Sequence, residues 1–151
     1  MLFRSALFTV TSAGLRGAEA MEVLEMAAKG SAIGMGDTKE IARAVTAVMQ
    51  AYGPETMSAA KAMDVLTATV REGNLEASEL APVLGRVVGL AAQMGVGFDQ
   101  VGASIATFTR LGVDSAEAVT GLRGFLSGII KPTNEGAEAL ASMGIDRKSV
   151  V

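Results

Sequence analysis

The chain has 151 residues, a formal net charge of −3 and a sequence pI near 5.0, which suits one domain or one part of a longer protein. It has no overall positive charge to hold a phosphate backbone, which argues against a dedicated DNA- or RNA-binding protein. The absence of Cys and His removes disulfides, thiolate nucleophiles, the usual zinc ligand sets and Ser-His-Asp triads. Half of the residues are hydrophobic but only 4% are aromatic, and this composition favours helices over a sheet.

The first residues are apolar, but they do not read as a signal peptide, because no charged stretch precedes the apolar ones. We interpret residues 1–15 as an apolar segment that is the remnant of a preceding helix, with a strand as the alternative. A helical domain then covers 16–146, and 147–151 form a tail end. The most apolar run, 87–98, is shorter than the roughly 18–20 residues of a membrane-spanning helix.

Apolar residues recur with helical spacing along the whole chain. The clearest case begins with a capping-box pattern, Asp37 followed by Glu40, and ends at Gly53. In a later helix the spacing directs Val101 and Phe108 inward. The predicted helices cover residues 16–29, 37–52, 57–71, 78–93, 99–111, 114–131 and 133–143.

One type of connector recurs between these helices. A glycine ends one helix, an apolar residue sometimes follows, and an aspartate caps the next helix. The four examples are Gly36-Asp37, Gly97-Phe98-Asp99, Gly112-Val113-Asp114 and Gly144-Ile145-Asp146. Because such connectors are short, we expect consecutive helices to pack together. The sequence therefore predicts an all-α array of about six to seven short helices joined by Gly/Asp corners.

Two helix-pair units of this array resemble each other. Residues 36–70 and 97–129 each contain a helix, a glycine corner and a second helix, at an offset of about 60 residues. This similarity reflects either true repetition or the same turn chemistry used twice.

Several groups of residues invite a catalytic interpretation. Ser58 and Lys61 match the S-x-x-K pattern of Ser-Lys acyl transfer, but the other motifs of those enzymes are missing. A serine at a helix start followed by a solvated lysine explains the pair more simply. The acidic clusters Glu19, Glu22 and Glu25, and Glu76 with Glu79, are typical of solvated helix faces rather than of paired catalytic carboxylates.

The remaining motifs favour structure or contact over chemistry. The glycine pairs at 34–36 and 95–97 lack the strand and extra glycine of a phosphate-binding loop. Gly121, Gly124 and Gly128 share one side of a helix, which indicates a tight helix crossing or a groove for a partner. Met residues such as Met49 fit core positions. We predict no catalytic, cofactor-binding or metal-binding residue, no cofactor, and no enzyme activity.

The order and spacing of these helix corners resemble the shared helical region of phage tail tape measure proteins, also called phage-related minor tail proteins. The resemblance covers about residues 7–146. The matching stretches are Ala51-Tyr52-Gly53, residues 68–73, Leu84-Gly85-Arg86-Val87, residues 90–99, Leu111-Gly112-Val113, Leu122-Arg123, Lys131-Pro132 and residues 143–146.

The resemblance implies a structural and assembly protein of a phage or prophage tail, located in the virion and assembled in the bacterial host. Proteins of this family set tail length, help to deliver the genome, and contact the tail tube, the tail-assembly chaperones and the tail tip. They are usually several times longer, so we expect this chain to be a fragment or a truncated prophage product. Self-association is expected, and specific nucleic-acid binding is not. The alternative is a membrane-active helical module that contacts the host membrane during genome injection.

Overall fold

The computed structural model describes residues 2–131 and 134–144. Within these residues the chain forms eight α-helices and no strand, which confirms the predicted all-α class. Each predicted helix is present, with bounds that differ by a few residues. The helices are α1 (Leu2–Ser12), α2 (Gly17–Ala32), α3 (Thr38–Tyr52), α4 (Ala59–Gly73), α5 (Ala77–Gln93), α6 (Phe98–Arg110), α7 (Ser115–Ile130) and α8 (Asn134–Ser142). Pro132, Thr133, the Ile145-Asp146 half of the last corner and the tail end at 147–151 lie outside the described residues.

The helix starts follow the predicted capping chemistry with one correction. The Asp37 carboxylate accepts a hydrogen bond from the Lys39 amide at 2.8 Å, and thereby caps α3 as expected. Asp99, however, is not the N-cap of α6. Helix α6 begins one residue earlier, with Gly97 as its N-cap, and the Gly97 amide donates to the Gln100 side chain at 3.0 Å. Gln100, at the third helical position, thus satisfies the amide of the N-cap residue itself, whereas an Asp99 cap would have accepted from amides two or three residues further along.

The helices form two layers. Helices α1, α3, α5 and α7 pack side by side in one layer, and α2, α4 and α6 pack side by side in the other. The expectation that consecutive helices pack together is only partly right. Helix α2 does pack mainly on α3, but the most extensive packing joins helices two apart, α3 to α5, α4 to α6 and α5 to α7, and α4 and α5 barely touch. Helices α3, α4 and α5 therefore lie between two layer neighbours and against the opposite layer, as in a helical solenoid, whereas α8 makes no extensive contact with the other described helices.

The array repeats about every 39 residues. The N-caps of α3, α5 and α7 are Asp37, Glu76 and Asp114, at intervals of 39 and 38 residues. Buried core positions recur at the same intervals in both layers. These sets are Val10, Met49, Val88 and Leu126 in one layer, and Ala27, Leu66 and Ile105 in the other. Helix pairs therefore do repeat, but not at 60 residues, because that offset relates α3 to α6, which lie in different layers.

Glycine permits the closest contact between α4 and α6. A Cβ added to Gly102 would collide with the Thr69 hydroxyl and lie 3.2 Å from Val65, and one added to Gly73 would lie 2.9 Å from Leu75 and 3.1 Å from the Ala106 backbone. These two helices therefore approach at backbone distance. Much of the core consists of Ala and Val, so the layers pack with little side-chain volume between them.

Candidate functional site

The Ser58–Lys61 pair is a helix cap. Ser58 is the N-cap of α4, and its hydroxyl oxygen accepts a hydrogen bond from the backbone amide of Lys61 at 3.2 Å. The serine thus satisfies a free amide at the helix start. The lysine contributes its backbone rather than its amine, so the pair lacks the contact that an activated serine nucleophile needs.

The acidic residues are likewise used in local structure. The amide of Glu76 donates to the Glu79 carboxylate at 3.4 Å, which forms part of a capping box at the start of α5. Glu25 forms an exposed ion pair with Lys29 at 2.7 Å, one helical turn away, and such a pair contributes little to stability. Within residues 2–131 and 134–144, no three His, Cys, Asp or Glu side chains cluster closely enough to hold a metal ion.

The glycine pairs form helix corners. Gly34 and Gly36 between α2 and α3, and Gly95 between α5 and α6, adopt positive φ angles of 84°, 139° and 73°. Such angles strain residues with a Cβ but not glycine. No phosphate cradle is formed, since a helix rather than a strand precedes each pair.

Tyr52, at the end of α3, binds the corner between α5 and α6. Its hydroxyl donates a hydrogen bond to the Val96 carbonyl oxygen at 2.8 Å, and its ring lies 6.2 Å from that of Phe98, centroid to centroid. Burial, together with the nearby negative charge of Asp99, raises the pKa of Tyr52 to about 12. The neutral phenol is therefore a structural donor, unsuited to act as a base near neutral pH.

Open grooves follow several seams between the described helices. The groove between α1 and α3 has a volume of about 670 Å³ and is lined in part by Arg4, Phe8, Lys39 and Arg43. The groove between α2 and α4 measures about 410 Å³ and combines apolar, acidic and basic side chains. Hydroxyl side chains line both grooves, but the Thr9 and Thr67 hydroxyls donate to the backbone carbonyls of Ser5 and Met63 at 2.9 and 2.8 Å and thereby bond to their own helices.

Apolar side chains are also exposed at the end of the array formed by α6 and α7. Phe108 was expected to point inward but is 41% exposed, and Leu111 and Phe125 are also exposed. The glycines of α7 do not mark a tight crossing within the described chain, because a Cβ added to Gly121, Gly124 or Gly128 meets no described atom within 4 Å. We call this surface, comprising Phe108, Leu111, Gly121, Phe125 and Gly128, the α6–α7 end face.

The sequence predicts part of this end face, because a groove for a partner is one interpretation of Gly121 and Gly128, but its helical spacing directs Phe108 inward. The 39-residue interval between acidic N-caps identifies α3, α5 and α7 as equivalent helices, but only the packing places α7 last in its layer among the described residues.

The described helices thus form a two-layered array with exposed apolar side chains at its α6–α7 end. The family model for phage-related minor tail proteins matches residues 3–151. The chain belongs to this family, whose members are structural components of the phage tail in the virion.

A relative of known identity lies in a pneumococcal phage. The chain is 29% identical, over 136 residues, to the protein named tape measure protein of Pneumococcus phage Dp-1. The match covers 90% of this chain but only 12% of that relative, so this chain spans about an eighth of the relative's length. No solved structure matches the chain. Among the described residues, no helix is both long enough and apolar enough to cross a membrane.

Proposed function

We propose that this chain is a compact docking region of a tape measure protein, and that it is not the part that measures length. The relative from phage Dp-1 is a tape measure protein by name, which supports the assignment. The whole protein would set tail length and assist genome delivery. This region would contact other tail proteins, such as tube subunits, tail-assembly chaperones or the tail tip.

The main support for this proposal is that the helices pack side by side instead of forming one extended helix. A continuous helix rises about 1.5 Å per residue, so 151 residues would reach roughly 230 Å. Neighbouring helices in a layer lie about 8–10 Å apart, so four of them extend only about 40 Å. The chain as folded therefore covers less than a quarter of the distance that an extended ruler of equal length would cover.

We also propose that the region works without catalysis. The observation in favour is that the residues with catalytic potential serve other ends: Ser58 and Glu79 satisfy backbone amides, and the Tyr52 hydroxyl donates to a backbone carbonyl. Docking then depends on exposed apolar and charged surface, which the grooves and the α6–α7 end face supply.

In-frame duplication of residues 1–151 in the tape measure gene of the phage tests the proposal by electron microscopy of tail length. A compact docking region adds at most about 40 Å, whereas an extended ruler adds roughly 230 Å. Tails longer by the larger amount would overturn the proposal and would mean that the array opens inside the tube.

Cysteine cross-linking supplies a second readout, because the chain has no cysteine of its own. Cysteines at Arg4 and Arg43, which line one groove, should be joined by a short bis-maleimide both in the free protein and in assembled tails. A matched pair at Arg4 and Arg123, which belong to α1 and α7 at opposite ends of the layer, should not be joined within one molecule. Loss of the first cross-link in tails would contradict a compact region.

A further inference from the structure

Among the described residues that line the groove between α1 and α3, three are basic and none is acidic. Arg4 on α1 and Lys39 and Arg43 on α3 supply three positive charges, although the chain as a whole has a formal net charge of −3. All three residues are exposed to solvent. The other lining residues are apolar or carry a hydroxyl group. The groove therefore concentrates positive charge on a chain that is acidic overall.

The chain itself leaves most of this charge unneutralised. Neither Arg4 nor Lys39 has a carboxylate within 4 Å among the residues that the structure describes. Arg43 is paired with Glu40 on the same helix, but the two charged groups are 3.8 Å apart and the arginine side chain is 58% exposed. Because an exposed ion pair of this length is weak, the Arg43 guanidinium remains available to a further anion.

The groove between α2 and α4 has the opposite arrangement. Its basic lining residues are Lys29 and Arg71. Lys29 forms an ion pair with Glu25 at 2.7 Å, and Arg71 forms one with Glu72 at 3.1 Å. Asp64 adds a further negative charge to the lining. The groove between α1 and α3 consequently gains more from an external negative charge than this one does.

The groove between α1 and α3 is preformed, because α1 is fixed to α3. Ala6 and Val10 of α1 are fully buried in the core. The Gln50 side-chain amide of α3 donates a hydrogen bond to the Ala13 carbonyl oxygen, just after the end of α1. A ligand in this groove would therefore not have to order the two helices, which lowers the cost of binding.

The repeat arranges the lining side chains in a defined pattern. Arg4 and Arg43 are 39 residues apart, so they hold the same repeat position on neighbouring helices, whose axes lie about 8–10 Å apart. Lys39 lies one turn before Arg43, and Phe8 lies one turn after Arg4. Phe8 lines the groove and is 73% exposed. The groove thus presents two guanidinium groups side by side, with an amine towards one end and an apolar ring towards the other.

We propose that this groove binds an acidic segment of another protein. Its carboxylates lie against Arg4, Lys39 and Arg43, and an apolar side chain of the segment packs on Phe8. Guanidinium groups suit this role because they bind carboxylates through two parallel hydrogen bonds. Three cations are too few for tight binding of a nucleic acid, whose affinity depends on many phosphate contacts. The proposal rests on the proposed docking function and specifies the chemistry of one partner.

Fluorescence anisotropy on the full chain tests the proposal with a labelled peptide in which glutamates flank a single leucine. The peptide should bind with a Kd below about 1 mM at low ionic strength, and about 0.5 M salt should weaken binding by at least about tenfold. The same peptide with glutamine in place of glutamate should not bind detectably. Arg4→Glu and Arg43→Glu should each weaken binding by at least about tenfold, because each places a like charge against the peptide carboxylates.

Arg71→Glu is the matched control. It makes the same change of charge at an exposed arginine of the other groove, so this variant should bind the peptide nearly as well as the wild type. Circular dichroism should show all three variants folded, since the three arginines are exposed. The test does not involve assembled tails, so peptide binding can fail while the tail-length result expected of a compact docking region holds.

Three outcomes would overturn the proposal. One is a wild-type chain that binds no peptide up to about 1 mM. Another is an equal loss of binding in Arg71→Glu, which would mean that the peptide responds to the overall charge rather than to this groove. The third is a labelled thymidine oligonucleotide of equal charge that binds more tightly than the peptide and loses binding in Arg4→Glu, which would assign the groove to nucleic acid.

Discussion

The Tyr52 hydroxyl donates a hydrogen bond of 2.8 Å to the Val96 carbonyl oxygen and so connects the end of α3 to the corner between α5 and α6. Val96 lies immediately before Gly97, the N-cap of α6. One side chain therefore holds a corner that joins the two layers. Tyr52→Phe keeps the ring against Phe98 and removes only the donor. We expect the free energy of unfolding to fall by about 1 kcal/mol, measured by urea denaturation.

The same tyrosine predicts how stability depends on alkaline pH. Burial and the charge of Asp99 raise its pKa from 10.0 to about 12 in the folded chain, so folding favours the neutral phenol. The associated stability is fully present below pH 10 and is lost as the pH rises towards 12. Tyr52 is the single tyrosine and there is no tryptophan, so the ultraviolet absorbance of tyrosinate reports this residue alone.

We expect the tyrosinate absorbance of the folded chain to appear at higher pH than that of the urea-unfolded chain. Tyr52→Phe serves as the control for stability, because other groups also lose protons at high pH. Its stability should fall less between pH 9 and pH 11 than that of the wild type. Identical titration curves in the folded and unfolded states would contradict the prediction.

Two glycine-to-alanine substitutions within helices should have opposite effects on the stability of the chain. Gly102→Ala adds a Cβ against the Thr69 hydroxyl and Val65 at the contact between α4 and α6, and overpacking of this kind costs about 1–3 kcal/mol. Gly85→Ala in α5 adds a Cβ that meets no described atom within 4 Å, and the better helix propensity of alanine should stabilise the chain by about 0.5–1 kcal/mol. Thermal unfolding of both variants gives the comparison. A stabilised Gly102→Ala would show that the two helices are not in close contact.

Two variants can separate the hydrogen bonds of the α7 N-cap, Asp114, from the effect of its negative charge on stability. The Asp114 carboxylate accepts hydrogen bonds from the Ala116 and Glu117 amides at 2.9 and 3.3 Å. Asp114→Ala leaves these amides without their acceptor and should cost about 1 kcal/mol. Asp114→Asn retains an oxygen acceptor and should cost much less. Equal losses in the two variants, measured by denaturant unfolding, would mean that charge rather than capping is responsible.

The loss of stability caused by truncating a side chain at one repeat position should depend on which helix of the array carries that side chain. Val87→Ala removes buried methyl groups from α5 and should destabilise the chain by about 2 kcal/mol. Phe125→Ala removes a much larger side chain from the equivalent position in α7, yet it should change stability by no more than about 0.5 kcal/mol in dilute solution. A large loss for Phe125→Ala in the monomer would contradict its exposed position.

The sequence by itself determined the helices and their ends, because both depend on contacts between residues a few positions apart. Helical spacing placed α3 to within a residue, and a glycine followed by Asp37 or Asp114 marked a helix stop and the next helix start. The one capping error, at Asp99, arose because the helix can also start from Gly97, whose amide donates to the Gln100 side chain. These local choices are visible in any short stretch of the chain.

Only the tertiary structure decided which helices share a layer and which apolar residues lack cover. Phe108 and Val101 both fit the inward pattern of α6, yet Val101 is buried and Phe108 is partly exposed. Their difference depends on whether another helix of the layer follows, not on the spacing within α6. Likewise, the glycines of α7 predict that another helix can approach closely, but they do not identify that helix. Burial depends on residues far away in the chain, so helical periodicity identifies the faces that can be covered but not the helices that cover them.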